Sequence, residues 1–202
     1  MLASVNDIRE GLGSLRERDA TFVDHALDPD IAAEIAQESS LSNFERLPEQ
    51  EGTARQDGEF LVITGDMTSH PLVADLRYEL AAVVQEQGSG ITGLNSWCPN
   101  EAWVQRYHGT GGGITVHKDL KRYRLLVAVF TLKGAAPFTV YRNRAGDAEM
   151  AWTAGTGSLV LLRGPGLGGI EDGRPLHAVG GPDRGERVSL SFRMNSRLIA
   201  DG

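Results

Sequence analysis

The second half of the chain is a succession of short apolar segments separated by Gly, Pro, Asn or Asp. From residue 102 onward the segments are, in chain order, AWVQRYH, ITVHKD, RLLVAVFTL, PFTVYRN, MAWTA, SLVLLRG, LHAVG and RVSLSFRM. Segments of this length with turn residues between them are typical of an antiparallel sandwich or barrel, and not of alternating strands and helices. The sequence therefore predicts a β-barrel-like core over residues 101–196.

The first hundred residues have a different pattern and predict helices. Residues 71–87 open with Pro71 and repeat apolar side chains at helical spacing, which predicts an amphipathic helix. The stretch DPDIAAEIAQES predicts a second helix that starts near Pro29, with Asp28 or Asp30 as its cap.

The connecting stretches complete the expected organisation. ATFVDHAL and FLVIT predict single strands, and the polar stretch 42–60 predicts a mobile loop. A length of 202 residues suits one domain. We therefore expect an α+β, mainly β domain over residues 1–202, with helical support and a lid in residues 1–100.

Composition limits the classes of function. No apolar run reaches the roughly 18 residues of a membrane span, the N-terminus has no apolar signal-peptide region, and Cys98 has no second cysteine to pair with. These features favour a cytoplasmic chain with no membrane partner. A formal net charge of −7 argues against broad contact with nucleic-acid phosphates, which need Lys and Arg.

His117 and Asp119 form the first candidate site. Residues two apart on a strand share a face, so both side chains of ITVHKD could bind one ion. Two histidines and one carboxylate make the facial triad that holds iron(II) and leaves positions open. The second histidine would be His177, 58 residues after Asp119. An isolated His-x-Asp pair is, by itself, more often ordinary surface polarity.

The last strand, RVSLSFR, strengthens this interpretation. One face carries two guanidinium groups and two hydroxyls, from Arg187, Ser189, Ser191 and Arg193. The opposite face is apolar. An edge strand with a solvated face would give the same pattern. The alternative is an anion pocket inside the barrel, because a guanidinium fork matches a carboxylate.

Taken together, the segments QRY, HKD, GSLVLLRG, the second His and RVSLSFR resemble the iron(II)/2-oxoglutarate-dependent oxygenases, most closely their AlkB-like branch, over roughly residues 100–195. The resemblance implies a double-stranded β-helix, or jelly roll. It also implies that iron(II) is held by His117, Asp119 and His177. The implied 2-oxoglutarate ligands are Arg187, Arg193 and Tyr107, with Gln105 and Ser189 where the branch can have Asn.

The resemblance also implies a reaction. Members of the family use iron(II), 2-oxoglutarate and O₂, and convert 2-oxoglutarate to succinate and CO₂ while they oxidise a substrate, usually by hydroxylation. Family members that halogenate have Gly or Ala in place of the carboxylate ligand. Asp119 therefore argues against halogenation.

Several features bear on the substrate. The expected lid, residues 41–60, has five acidic residues and two basic ones, which does not suit a grip on phosphates. The segment LKRYR, residues 120–124, is basic and places Lys121 where DNA-repair members carry an acidic residue that reads the base. We therefore predict a small or modest substrate that carries an anionic group, met by Lys121, Arg122 or Arg124. A solvated loop would explain the same charges.

Tryptophan side chains are further candidates for the lining of the substrate pocket. Trp103, with Trp97 and Trp152, could line the substrate pocket, although aromatic residues on strands more often belong to a core.

Four functions remain open at this point. The first is a dioxygenase of a small metabolite, such as an amino acid or a natural-product precursor. The second is an AlkB-type nucleic-acid demethylase, and the third is a peptide or protein hydroxylase. The fourth is a jelly-roll binding protein without turnover. The sequence does not indicate an oligomeric state.

Overall fold

The computed structural model describes residues 1–87, 90–109 and 112–199. The remaining parts of the predicted domain, residues 88–89, 110–111 and 200–202, lie outside the described residues. No helix in the described ranges is long and apolar enough to cross a membrane.

Three α-helices precede the main run of strands: α1 (Val5–Ser14), α2 (Pro29–Ser40) and α3 (Pro71–Gln87). Both predicted helices are confirmed. The Asp28 side chain caps α2 by accepting hydrogen bonds from the backbone N–H groups of Asp30 and Ile31. Short 3-10 helices in the described ranges include Leu94–Ser96, Leu167–Gly169 and Ser196–Leu198.

Helix α1 is a finding that the sequence did not predict. Its sequence, VNDIREGLGS, contains Gly11 and Gly13, and glycine is among the poorest helix formers. The helix forms because Ile8 and Leu12 are fully buried against the rest of the molecule. Tertiary packing therefore outweighs local preference here.

The strands form two antiparallel sheets. In chain order they are β1 (Ala20–Val23), β2 (Glu45–Arg46), β3 (Gln50–Glu51), β4 (Ala54–Asp57), β5 (Glu59–Thr64), β6 (Glu101–His108), β7 (Gly113–His117), β8 (Tyr123–Lys133), β9 (Ala136–Tyr141), β10 (Ala148–Ala154), β11 (Leu159–Arg163), β12 (Leu176–Val179) and β13 (Glu186–Asn195). The first sheet has the order β1-β11-β8-β13-β6-β5-β2 and the second β10-β9-β12-β7-β4-β3. All eight segments predicted after residue 102 are strands, and the α+β, mainly β jelly roll is confirmed.

The sequence predicted a mobile loop over residues 42–60, but the structure has short strands there. This segment contains β2, β3 and β4 and the start of β5. These strands are two to four residues long, except β5, so they offer too few alternating positions to show a period in the sequence. Strand β4 pairs with β7, which brings this segment beside His117.

Two apolar clusters hold the layers together. One packs the three helices against the outer face of the seven-stranded sheet and includes Val188, Leu190 and Phe192 of β13. The other lies between the sheets and includes Phe138 and Val140. Strand β13 lies between β8 and β6, so it is an interior strand and not an edge strand. Its polar face therefore points into the space between the two sheets.

Candidate active site

A cavity of about 320 Å³ lies between the two sheets and collects most of the predicted site residues. The predicted residues that line it are Trp103, Gln105, Tyr107, His117, Asp119, Arg122, His177, Arg187, Ser189 and Arg193. Lys121 and Arg124 are the exceptions, because both are exposed and neither lines the cavity, so the prediction that they meet the substrate there is wrong. Lys118 lines the cavity instead.

The three predicted metal ligands lie close together. His117 on β7 and His177 on β12 are partners in the antiparallel register, and their ring centroids are 4.3 Å apart. His177 Nε2 lies 4.0 Å from Asp119 Oδ2. One ligand atom from each of the three residues lies within 4.8 Å of the others. A single ion can therefore reach all three.

Asp119 corrects one part of the sequence argument. Strand β7 ends at His117, so Asp119 lies two residues beyond the strand and does not share a strand face with His117. Its position depends on contacts of the irregular segment that follows. Arg174 provides one of them, by donating a hydrogen bond to the backbone carbonyl oxygen of Asp119. The Asp172 carboxylate accepts two 2.7 Å hydrogen bonds from the same guanidinium.

Backbone carbonyl groups orient both imidazole rings. His117 Nδ1 lies 2.9 Å from the carbonyl oxygen of Thr115, and His177 Nδ1 lies 3.3 Å from that of Pro175. A carbonyl oxygen can only accept, so each Nδ1 is the protonated nitrogen. The Nε2 lone pairs are then free for a metal ion. Phe138 stacks on the His177 ring, with centroids 5.4 Å apart, and fixes its plane.

The electrostatics of the cluster also suit a metal ion. Burial, with help from His117, lowers the pKa of His177 to about 4, so this imidazole is neutral at neutral pH. Burial raises the pKa of Asp119, but His177 and Arg193 outweigh it and bring that pKa below its usual value. Two imidazole nitrogens and a carboxylate are the donors of an iron(II) facial triad. The residues present therefore fit such an ion.

Arg187 occupies the opposite end of the polar face and lacks a carboxylate partner. It is 1% exposed, and its guanidinium donates a 3.2 Å hydrogen bond to Thr131 Oγ1, the one side-chain hydrogen bond that it makes within the described residues. Its Nε is buried without a partner, and no carboxylate in the described part of the chain reaches it. Burial lowers its pKa to about 10, so it stays charged at neutral pH. A buried, unpaired cation indicates an anion site.

Tyr107 lies beside this guanidinium, because it is the register partner of Arg187 on β6. Its hydroxyl accepts a 3.0 Å hydrogen bond from Gln105 Nε2, which leaves the phenolic proton free to donate. Burial raises the pKa of Tyr107, so the phenol stays neutral. The predicted set of Arg187, Tyr107 and Gln105 therefore forms a cluster of donors in one wall.

Arg193 lies at the metal-ligand end of the same strand face. Its guanidinium carbon is 4.7 Å from the ring centroid of Trp103 and 4.8 Å from that of Tyr123. Its Nε is buried without a hydrogen-bond partner. Its charge also helps to lower the pKa of Asp119. Ser189 lies between the two arginines and also lines the cavity.

Of the three tryptophans, one lines the cavity, one is fully buried in the core and one is half-buried outside the cavity. Trp103 lines the cavity and stacks on Phe60, with ring centroids 5.0 Å apart. Trp97 is fully buried in the cluster on the helix side, and Trp152 stacks on Phe22. The idea that Trp97 and Trp152 line the pocket is therefore wrong.

Three contributors were missed at the level of sequence. Thr131 and Arg174 act through contacts 56 and 55 residues away in the chain, which no local pattern reveals. Gln56 lies in the segment that was predicted as a loop. It is 7% exposed and lines the cavity with an Nε2 that has no partner.

Sequence comparison and fold comparison give different results. No protein-family model matches the chain, and no curated protein matches it. Its fold, however, matches a Trichoplax adhaerens prolyl hydroxylase in complex with a hypoxia inducible factor peptide fragment. The TM-score is 0.68 at 16% identity, over 96% of this chain and 91% of that one. An oxidoreductase of the 2OG-Fe(II) oxygenase family from Burkholderia pseudomallei gives 0.61 at 16% identity, over 91% and 88%.

The chain has the fold of the iron(II)/2-oxoglutarate oxygenases. The structure of OsALKBH1 also matches, with a TM-score of 0.57 at 15% identity, over 88% of this chain and 98% of that one. This AlkB-type structure has a lower TM-score than the prolyl hydroxylase. The fold therefore does not single out the AlkB branch.

Proposed function

We propose that the chain is an iron(II)- and 2-oxoglutarate-dependent dioxygenase, with residues 1–202 as one catalytic domain. One observation carries this proposal. A single cavity holds the His117, Asp119 and His177 cluster at one end and the buried, unpaired Arg187 at the other. A binding protein that only kept the fold would have no use for both.

The metal would be held by the two Nε2 atoms and by the Asp119 carboxylate. Bound iron(II) would supply the activation of O₂, which oxidises 2-oxoglutarate and the substrate together. The chain's own contribution is to fix the donors. The carbonyl oxygens of Thr115 and Pro175 hold the imidazole tautomers, and the Arg174 contact holds the segment that carries Asp119.

The two arginines divide the co-substrate between them. Arg187, with the Tyr107 hydroxyl, suits the carboxylate of 2-oxoglutarate that lies away from the metal. Arg193 lies near Asp119, where it suits the carboxylate next to the keto group. Gln105 and Ser189 complete the wall between them. Arg187 stays charged and desolvated, so it binds a carboxylate without first releasing another partner.

The overall conversion balances with O₂ as the oxidant. 2-Oxoglutarate loses CO₂ and supplies two electrons. One oxygen atom of O₂ enters succinate, and the other converts a substrate C–H bond into C–OH.

The substrate that we propose is a small metabolite that carries an anionic group, such as an amino acid or a natural-product precursor. Arg122 and Lys118 line the cavity beside the metal ligands, and neither forms an ion pair within the described residues. Trp103 and Phe60 add an apolar wall. We also propose a reducing, cytoplasmic setting, because iron(II) persists there and Cys98 has no disulfide partner.

A second candidate is a peptide or protein hydroxylase. The observation that favours it is the fold match to a prolyl hydroxylase that binds a peptide fragment. An AlkB-type nucleic-acid demethylase has less support, because the segment beside the cavity is acidic. A turnover assay that compares small metabolites with an anionic group, peptides and methylated oligonucleotides as substrates separates these three functions.

The decisive experiment is an anaerobic titration of the metal-free protein with iron(II) and then 2-oxoglutarate. Chelation of iron by the keto acid should give a weak visible charge-transfer band. His177→Ala and Arg193→Ala should each lose most of the band. Arg184→Ala is the control, because Arg184 is exposed and does not line the cavity. Circular dichroism of each variant shows that the fold is kept.

Two results would contradict the proposal. Absence of iron binding by the wild-type protein would rule out the oxygenase and leave a jelly-roll binding protein. Iron binding without a band on addition of 2-oxoglutarate would mean that Arg187 and Arg193 bind a different anion.

A further inference from the structure

Two segments form the solvent-facing mouth of the cavity. We call residues 47–56 the hairpin wall. We call residues 118–122 the ligand loop, because this segment contains the predicted metal ligand Asp119. The cavity-lining residues of the two segments that are exposed include Pro48 and Glu51 on one side and Lys118 on the other. The cavity therefore opens to solvent between the hairpin wall and the ligand loop.

The acidic residues of the predicted lid, residues 41–60, differ in whether they form ion pairs and in whether they line the cavity. Asp57 lies 3.5 Å from Arg46, and Glu59 lies 2.9 Å from Arg106, so both are paired away from the cavity. Of the five acidic residues in this segment, Glu51 alone lines the cavity. No basic group within the described residues lies at ion-pair distance from it. The hairpin wall thus places one free carboxylate at the mouth.

The ligand loop places a free cation at the same mouth. The Arg122 guanidinium donates a 3.2 Å hydrogen bond to the hydroxyl of Tyr123 and lies 5.1 Å from that ring. Its Nε is buried without a partner. Among the residues that the structure describes, no carboxylate pairs with it, and that includes Glu51. Opposite charges that line one cavity without touching leave room for a ligand between them.

Gln56 adds an independent sign that a ligand binds here. Its side chain is buried and lines the cavity, and no residue in the described ranges forms a hydrogen bond with its Nε2. Its strand is fixed by pairing with β7 and by a 2.8 Å hydrogen bond from the backbone N–H of Arg55 to Thr115 Oγ1. A buried donor that lines a cavity is available to an acceptor of a bound molecule.

We propose that the primary substrate is a small zwitterion, such as a free amino acid. Its ammonium group would meet Glu51, its carboxylate would meet Arg122, and Gln56 would donate to an acceptor of the same molecule. This inference rests on the proposed oxygenase function and names its substrate class. The enzyme would hydroxylate a C–H bond of the zwitterion. As above, O₂ and 2-oxoglutarate would be consumed, and succinate and CO₂ would be released.

The alternatives fit these charges less well. The backbone inside a peptide carries neither an ammonium nor a carboxylate group. A nucleotide brings phosphate charge, which Glu51 would repel. A purely anionic metabolite would satisfy Arg122 and leave Glu51 without a partner.

The test measures binding directly, with and without iron(II) and 2-oxoglutarate under anaerobic conditions. Saturation-transfer NMR on the full chain screens the common L-amino acids, β-alanine and 4-aminobutyrate. Each compound that binds is compared with its N-acetyl derivative, which lacks the ammonium charge, and with its amide, which lacks the carboxylate. Affinities are then measured for Arg122→Gln and Glu51→Gln. Arg124→Gln and Glu49→Gln are matched controls, because both residues are exposed and neither lines the cavity.

We expect at least one zwitterion to bind. Arg122→Gln and Glu51→Gln should each raise its Kd about tenfold or more, as loss of a hydrogen bond to a charged group does. The control variants should change the Kd by less than about twofold. Both derivatives should bind more weakly than the parent compound.

Three results would overturn the inference: no zwitterion binds, the N-acetyl derivative binds as tightly as its parent, or both cavity variants leave the Kd unchanged. The iron–2-oxoglutarate band, recorded in the same samples, separates this failure from failure of the oxygenase proposal. A band without zwitterion binding would refute the substrate class alone. Zwitterion binding without a band would refute the oxygenase.

Discussion

Arg174 donates a hydrogen bond to the backbone carbonyl oxygen of Asp119, 55 residues earlier in the chain. Asp119 lies beyond the end of β7, so the ladder of that strand does not fix it. The Asp172 carboxylate holds the guanidinium from the other side and accepts hydrogen bonds at both oxygens. Arg174 also precedes His177 by three residues, so one side chain connects two segments that carry metal ligands.

We expect Arg174→Ala to weaken metal binding by about 10- to 100-fold, the usual effect of removing a residue that orients a ligand. The physical reason is that Asp119 would lose the contact that sets its position. Titration with Mn(II), followed by electron paramagnetic resonance, measures this affinity without turnover. Asp172→Asn should give a smaller loss in the same direction. An unchanged affinity in Arg174→Ala would show that the Asp119 segment is held by other contacts.

Arg187 should lower the stability of the protein in the absence of 2-oxoglutarate. Its buried charge has a hydroxyl partner but no carboxylate. We expect Arg187→Met to raise the free energy of unfolding by about 1 kcal/mol or more, because it removes an uncompensated buried charge. The same variant should lose the rise in Tm that 2-oxoglutarate gives the wild type. Urea denaturation and thermal melts measure the two effects.

Arg163 provides the matched control for this prediction. It is also buried, but it lies 3.7 Å from Asp19 and donates a hydrogen bond to the carbonyl oxygen of Leu167. Arg163→Met should therefore destabilise the protein, because it leaves these acceptors without their donor. If Arg187→Met destabilised the protein as much, the guanidinium would be structural.

Two tyrosines in the cavity should ionise late. Burial raises the pKa of both Tyr107 and Tyr123 above the ordinary value of about 10. The unfolded chain therefore releases these protons first, and stability should fall as pH rises above about 10. The near-ultraviolet absorbance of tyrosinate should show a late phase that Tyr107→Phe reduces and the double Phe variant removes. A wild-type titration without a late phase would contradict this.

The sequence predicted the strands and the polar face of β13 because both depend on a local period of two. The turn residues between segments are also local, and they predicted where one strand ends and the next begins, but not the order of the strands in the sheets. His117, His177 and the two arginines followed from the type and order of residues. Local pattern could indicate these four residues of β7, β12 and β13, but it did not indicate Gln56 on β4 or Thr131 on β8.

The rest could not be predicted, because it depends on contacts distant in the chain. Gln56 reaches the cavity only because its short strand pairs with β7, across 58 residues of sequence. Lys121 was expected in the pocket because it follows Asp119 closely. In the irregular segment Lys121 lies away from the cavity, whereas Lys118 lines the cavity at its exposed mouth. Beyond the end of β7 the alternation of side chains between two faces no longer holds, so it could not predict which lysine lines the cavity.

The two glycines of α1 should respond in opposite directions to replacement by alanine. A Cβ at Gly11 would lie 2.9 Å from Thr21 Oγ1 and 3.1 Å from Val23 Cγ2, so the helix would be pushed away from β1. A Cβ at Gly13 would meet nothing within 4 Å. We expect Gly13→Ala to stabilise the protein by about 0.5–1 kcal/mol through helix preference. Gly11→Ala should destabilise it despite the same preference.

Urea denaturation of the two variants beside the wild type measures this difference. Both substitutions change the unfolded chain in the same way, so the difference between them reports the contact with β1. Equal stabilisation by both would mean that α1 can move away from Thr21 and Val23 at no cost. The close approach at Gly11 would then not be what holds α1 against the sheet.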